Sequence, residues 1–310
     1  MGEGLRFGVI GCGGVGAVGM KTTLTNPSVK LVVVCDVVEE LAKRRAAEFE
    51  CEFTLDYESV ASRRDLDCVV VSTPNKFHAP ISMGRLENGK HLLCEKPLAR
   101  NPEEARKMVE ASRITGRILK TGFNHRHLRS VLKTRELFES GAIGKALFMR
   151  ARTGHGGGER MLSFWFWNRE RAGGGTFLDN GVHVLDLARW FLGEIREDEG
   201  YAETLYWPID VEDNGFGLFK TADGRIAFVQ SSRTEWFGYM LIELYGDRGY
   251  PYTDNRNCKK TTHGTRSGEI AICDYSNVQD ESWKLELKEF VEAIDERRRP
   301  MGDGFDGLRP

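Results

Sequence analysis

Apolar and polar positions change rhythm once along this chain. Up to about residue 120 the apolar residues come in short unbroken blocks, such as Phe7 to Ile10, Leu31 to Cys35, Asp67-Cys-Val-Val-Val-Ser72 and His91 to Cys94. Blocks of this length between polar segments predict parallel strands buried on both faces. Glu52 to Leu55 and Ile118 to Thr121 add two shorter strands. Between them lie helical patterns: a segment carrying Val15, Val18 and Leu24, then residues 38 to 50 and 77 to 88. A further helix runs to about Ser112, with Asn101 as its cap and Pro102 at its first position. Strands alternating with helices at this spacing predict an α/β domain, a Rossmann-type doubly wound parallel sheet.

From residue 124 the rhythm becomes alternating. A helix near 128 to 140 precedes strand-like runs at Ala146 to Arg152, Val211 to Phe219, Arg225 to Ser231 and Leu241 to Tyr245, punctuated by Asp223-Gly224 and Gly246-Asp247. Half-polar strands joined by tight turns predict an antiparallel sheet. The expected organisation is a dinucleotide-binding domain over 1–123 and an α+β domain over 124–310 with a large, mostly antiparallel open sheet. One insert interrupts the second domain: Gly156-Gly-Gly158, Phe164-Trp-Phe-Trp167 and Gly173-Gly-Gly175. It reads either as a mobile flap or as aromatics buried in a core or subunit contact.

Composition narrows the class. With 310 residues, 40% hydrophobic, 29% charged and a formal net charge of −2, a soluble two-domain protein is expected. No apolar run approaches the ~20 residues of a spanning helix, and a strand beginning near residue 5 leaves no room for a signal peptide, so a cytoplasmic location is expected. Cys12, Cys35, Cys51, Cys68, Cys94, Cys258 and Cys273 form no C-x-x-C pair, which argues against a disulfide framework or a metal cluster. The charge balance argues against nucleic acid as a partner.

Chemistry concentrates in two places. The first strand runs into Gly11-Cys12-Gly13-Gly14-Val15-Gly16, a Gly-x-Gly-x-x-Gly dinucleotide fingerprint in its expected context. Gly11 permits the turn, Gly13 lets backbone approach a pyrophosphate, and Gly16 lets helix and strand pack closely. Asp36 ends the next strand about 20 residues on, where a carboxylate accepts ribose hydroxyls and repels a 2′-phosphate, so NAD is favoured over NADP. Thr73, Pro74, Asn75 and His78, with Glu95 and Lys96, follow later strands at the end where ligands bind. In the second place, Asp179, His183 and Asp186 recur at i, i+4 and i+7 of a helical pattern. Residues four apart share a helix face, and histidine suits proton removal from a hydroxyl near neutrality. Asp179 then orients substrate or tunes His183, and Lys96 stabilises developing alkoxide charge.

The combination of the glycines, Ser72-Thr-Pro-Asn75 with His78, Cys94-Glu-Lys-Pro97, and Gly173-Gly-Gly-x-x-x-Asp179-x-Gly-x-His183-x-x-Asp186 resembles the glucose-fructose oxidoreductase and inositol dehydrogenase family (Gfo/Idh/MocA) across essentially the whole chain. The resemblance implies a catalytic set of Lys96, Asp179 and His183, a nicotinamide cofactor and a sugar or cyclitol substrate. It also implies homodimers or homotetramers formed through the open face of the second sheet. Such proteins usually continue past a segment like Asp306-Gly-Leu-Arg309 into a final helix on the nucleotide-binding domain, which this sequence does not show.

Other features carry less. Gly84-x-x-x-x-Gly89-Lys90 imitates a phosphate loop but has His91 where Ser or Thr should follow and precedes a strand, so it reads as a helix C-terminus. His125 and His127 lack nearby acidic or Cys partners and read as substrate or structural histidines. Arg113, Arg117, Lys120, Arg126, Arg129, Lys133 and Arg135 occur in a stretch without acids. That stretch is either a solvated face or a site for an anionic substrate such as a nucleotide sugar. Two rivals to a dehydrogenase stand: NAD-assisted sugar elimination, as in glycosidases that recycle their cofactor, and a noncatalytic sugar or nucleotide sensor, which has no use for a proton-handling set.

Overall fold

In the computed structural model, residues 4–159, 162, 164–253 and 258–309 are described. Their contacts divide the chain into two compact units. One runs through Asn124 and adds Trp283–Arg309; the other is His125–Ser282.

The first unit holds strands β1 (Leu5–Ile10), β2 (Val29–Cys35), β3 (Glu52–Thr54), β4 (Cys68–Val71), β5 (His91–Glu95) and β6 (Leu119–Gly122). They form one sheet in the order β3-β2-β1-β4-β5-β6, every pair parallel. Helices α1 (Gly14–Thr23), α2 (Glu39–Phe49), α3 (Tyr57–Ser62), α4 (His78–Glu87) and α5 (Pro102–Thr115) make the crossovers. Side chains alternate across a strand, so an unbroken apolar run feeds two cores. Val69 and Val71 pack into one with Ile81, Leu86 and Met108. Cys68 and Val70 pack into the other with Phe7, Met20 and Phe49. Successive strands step outward in opposite directions from β1 and β4, so the ends of those two strands form the topological switch point. The chain after α4 turns through Gly89 at φ 76°, and the Gly89 N–H donates to Leu86 O at 2.9 Å and the Lys90 N–H to Arg85 O at 3.0 Å, as a helix C-terminus requires.

The second unit carries β7 (Ala146–Gly154), β8 (Ile195–Glu203), β9 (Asn214–Thr221), β10 (Ile226–Ser232), β11 (Tyr239–Gly246), β12 (Gly249–Thr253), β13 (Lys260–Thr265) and β14 (Ile270–Asp274). Their order is β14-β13-β12-β11-β7-β10-β9-β8; β7 and β10 are parallel and the other pairs antiparallel. Helices α6 (Arg129–Glu139), α7 (Arg169–Ala172) and α8 (Val182–Leu192) complete it. Met149, Ala151, Val229, Ile242 and Leu244 bury against Val184, Leu187, Ala188 and Phe191 of α8. Residues of opposite parity, among them Phe148, Phe216, Leu218 and Ile226, are exposed. Trp167 of the aromatic insert is buried with Trp207 and Val211, whereas Phe164 is half exposed, so the segment is packed at one end only.

The chain then returns to the first unit through α9 (Ser282–Asp295) and α10 (Gly304–Leu308). Leu287, Phe290 and Val291 enter the same core as Phe7 and Val9, with the Phe7 and Phe290 rings edge to face at 6.1 Å. Residues 283–309 thus belong with the nucleotide-binding unit, where the alternation pattern had grouped them with the second. Pro310 lies outside the described residues. Among the described residues no helix is long and apolar enough to cross a membrane.

Candidate active site

The glycine turn sits at the switch point and its geometry is set by close approach. Gly11 has φ 100°, and a Cβ there would meet Ser72 O at 2.5 Å. A Cβ on Gly16 would run into the Gly11 carbonyl and lie 2.8 Å from Ser72 Oγ. Gly13 and Gly14 face nothing within 4 Å. No side chain caps the first turn of α1, which leaves the helix N-terminus directed toward this open cradle. Two further observations fit a dinucleotide. Thr73 Oγ1 is buried without a hydrogen-bond partner. Asp36, just past β2, accepts the Cys12 N–H at 2.8 Å and the Val38 N–H at 2.9 Å, which fixes its carboxylate beside the turn. Arg45, to which the sequence pattern assigns no role, brings Nε to 3.4 Å from Cys12 O and pairs with Glu48. Its position on a charged helix face hid that approach.

Beyond β4 and β5, Asn75 and His78 are buried, while Thr73, Pro74 and Lys96 are partly exposed. Both ring nitrogens of His78 lie 2.8 Å from carbonyl oxygens, Nδ1 from Pro97 and Nε2 from Thr73. His78 therefore ties the loop after β4 to the Glu95-Lys96-Pro97 turn. Burial pulls its pKa below the usual value even though both carbonyls favour the charged ring. Glu95 is buried too, and burial raises its carboxyl to about 7 against the pull of Lys96. Glu286 of α9 is likewise pushed well above the carboxylate range by burial, with Glu95 and Glu289 adding to the effect. Lys120 pairs with Glu289 at 3.0 Å beneath them.

In the second unit the run from Gly173 does not form one regular helix. Phe177–Gly181 is a π-helical turn leading into α8. Gly175 lets this turn press on the chain before β9, since a Cβ would lie 2.7 Å from Glu212 N. Thr176 and Ser231 hydroxyls bond at 2.8 Å and pin the turn to β10. Asp179 projects from the π-turn and pairs with Arg233, while His183 lies one turn on and is nearly buried. The imidazoles of His183 and His125 stack with centroids 3.7 Å apart and planes 17° from parallel. Asp186 faces Arg126, which donates from Nε at 2.7 Å and Nη2 at 2.5 Å, both partners being buried. Asp186 thus anchors the His125–His127 segment to α8. Lys96 belongs to the first unit and Asp179 and His183 to the second.

Four cations of the basic stretch meet acids that lie outside it. Arg126 pairs with Asp186, Arg129 with Glu281, Lys133 with Glu136 and Arg135 with Glu139. The acids come from elsewhere in sequence or from just past the stretch, so a scan confined to it sees only cations.

A parallel sheet with a glycine cradle at its switch point, joined in one chain to a mostly antiparallel open sheet, defines an NAD-dependent oxidoreductase of two units. The family model described as an oxidoreductase family with an NAD-binding Rossmann fold matches residues 5–123, and that for the GFO/IDH/MocA C-terminal domain matches residues 131–250. The chain belongs to the GFO/IDH/MocA oxidoreductase family. It is 31% identical to an inositol 2-dehydrogenase of Rubrobacter xylanophilus over 322 aligned positions, covering 98% of this chain and 87% of that protein. It is 30% identical to a levoglucosan dehydrogenase of Pseudarthrobacter phenanthrenivorans over 246, covering 70% of this chain and 63% of that protein. The solved structure of a levoglucosan dehydrogenase complexed with NADH and levoglucosan superposes with a TM-score of 0.91 at 25% identity, covering 99% of this chain and 94% of that one.

Proposed function

We propose that this chain oxidises, reversibly, one hydroxyl-bearing carbon of a sugar, sugar derivative or cyclitol. The observation that carries the reading is the second-unit arrangement: a carboxylate and an imidazole issue from successive helical turns, each held by its own partner, Arg233 for Asp179 and His125 for His183. NAD, when bound, would supply the hydride acceptor for that carbon. His183 takes the hydroxyl proton at a ring nitrogen. The Lys96 ammonium lowers the pKa of that hydroxyl and stabilises the alkoxide as it forms. Asp179 accepts a hydrogen bond from the substrate and orients it. Gly11, Gly13, Gly14, Val15 and Gly16 would hold the pyrophosphate, Asp36 would take the ribose hydroxyls and prefer NAD to NADP, and Thr73, Pro74, Asn75, His78 and Glu95 would complete the cofactor site.

Relatives named for inositol and levoglucosan support polyhydroxylated ring substrates. The acids paired with Arg126, Arg129, Lys133 and Arg135 favour a neutral sugar or cyclitol over a nucleotide sugar. The exposed Phe148, Phe216, Leu218 and Ile226 favour a homodimer or homotetramer that covers the open sheet face, to be checked by light scattering. The deciding experiment incubates the protein and NAD with sugars, cyclitols and nucleotide sugars and follows near-ultraviolet absorbance of reduced nicotinamide. Sugar consumed without accumulating NADH would replace this reading with NAD-assisted elimination. NAD-stabilised melting with no turnover of any member would replace it with a sensor.

A further inference from the structure

Arg233 follows β10 directly, and its main chain is fixed on both sides. Its N–H donates to Asp213 O at 2.7 Å, and its carbonyl accepts the Trp207 Nε1–H at 3.0 Å. The side chain is only 4% exposed. Nη2 pairs with Asp179 Oδ2, and Nη1 bonds to His155 Nε2. The guanidinium carbon also lies 5.4 Å from the ring centroids of both Phe166 and Trp167. His155 itself lies in the glycine loop, its Nδ1 3.1 Å from the Gly157 nitrogen.

We propose that Arg233 is a positioning residue for the hydroxyl oxidation put forward above, holding Asp179 as an ionised carboxylate of fixed direction and anchoring it through His155 and the aromatic segment. The inference rests on that functional reading only for its kinetic part. A carboxylate on a short π-turn has two side-chain torsions to settle, and a planar guanidinium engaged by three other groups settles them before substrate arrives. The placement also answers a desolvation problem. A nearly buried cation is tolerable only when paired, and Asp179 is the carboxylate it meets. Lysine cannot reproduce the arrangement, because a point-like ammonium does not span Asp179 and His155 while lying against two rings. Sequence reading misses Arg233 because it stands 54 positions from Asp179 and outside any motif.

Two readouts test the proposal. The first is carbodiimide and amine labelling of Asp179 at mildly acidic pH, read by peptide mass spectrometry on the NAD-free protein. Asp179 should resist labelling in the wild type and label at least fivefold more in Arg233→Ala. The second is NADH formation with myo-inositol and levoglucosan as probes. There kcat should fall at least tenfold in Arg233→Ala and Arg233→Lys, KM should change less than threefold, and NAD affinity by calorimetry should stay within twofold. Millimolar guanidinium should restore part of kcat to Arg233→Ala and none to Arg233→Lys. If Arg233→Ala does not fold, Arg233→Lys carries both measurements. Unchanged Asp179 labelling in a folded variant overturns the proposal, as does a kcat within twofold of wild type. If the wild type turns over neither probe nor any other sugar or cyclitol, the functional reading fails, and the labelling still decides whether Arg233 holds Asp179.

Discussion

Two glycines of the same turn should fail in different ways when each is given one methyl group. At Gly16 a Cβ would lie 2.9 Å from the Gly11 carbonyl carbon and closer still to its oxygen, where ordinary contact begins at 3.4 Å. The obstacle is backbone on a buried strand end, and its oxygen stands nearer than its carbon, so α1 must withdraw by more than the roughly 0.5 Å that the carbon alone would ask, and overpacking of this kind typically costs about 1–3 kcal/mol. For a unit of this size each kcal/mol lowers the melting temperature by about 2–4 °C, so Gly16→Ala should melt roughly 2–12 °C lower. At Gly13 the backbone has φ −66°, which alanine adopts freely, and nothing stands within 4 Å of the added carbon. Gly13→Ala should therefore melt within about 2 °C of the wild type, the small loss reflecting alanine's poorer performance as a helix cap. Yet that methyl would stand in the open cradle where the pyrophosphate must approach, and NAD affinity should fall tenfold or more. Scanning calorimetry with and without NAD separates the two. A Gly13→Ala protein that binds NAD like the wild type would falsify the placement of the cofactor, and a Gly16→Ala protein that melts like the wild type would refute the steric argument.

Asp36→Ser should relax the preference for NAD over NADP by removing a negative charge that faces a 2′-phosphate; equal affinities in the unaltered protein would remove the role given to Asp36. Lys96→Ala, Asp179→Ala and His183→Ala should each lose roughly 10²–10⁴-fold in kcat while binding NAD normally, and on the proposed reading that all three act at one hydroxyl, double variants should be little worse than the poorer single one. Burial holds the Glu95 carboxyl at about 7, above its unfolded value, so its contribution to stability is whole below the unfolded value and is lost as pH rises through 7. Urea midpoints should accordingly fall across that range in the wild type and fall less in Glu95→Gln; parallel curves would refute the assignment. Phe290→Ala, at a fully buried position, should destabilise the first unit by about 3–5 kcal/mol, seen as an early melting transition.

The sequence pattern made the parallel sheet legible because its strands are buried on both faces, and an apolar block leaves little room for another reading. The strands through the middle of the second sheet were legible by alternation. β8, β12, β13 and β14 were not. Ile195–Glu203 is an edge strand, almost wholly exposed and rich in acids, and Lys260–Thr265 relies on threonine and glycine in place of apolar alternation. In the site, spacing brought Lys96, Asp179 and His183 forward as candidates, because a motif records residues that must recur at set intervals. The supporting partners arise from distant segments and left no local mark. Arg233 is an example, as is Glu212, whose backbone Gly175 must clear. The aromatic insert was ambiguous in the sequence, and it remains divided in the structure, with Trp167 buried and Phe164 half exposed.

The return of α9 and α10 makes the nucleotide-binding unit discontinuous, and this bears on the order in which the chain can fold as it is made. Leu287, Phe290 and Val291 fill the same core as Phe7, Val9 and Val34, yet they leave the ribosome only after the whole of His125–Ser282 has emerged. The six parallel strands must wait with one side of their sheet unsealed while the later unit is already free to close around α8. A nascent chain halted near residue 280 would expose that unsealed side to chaperones, and a fragment ending at Asn124 would carry a cofactor cradle on a sheet lacking part of its floor.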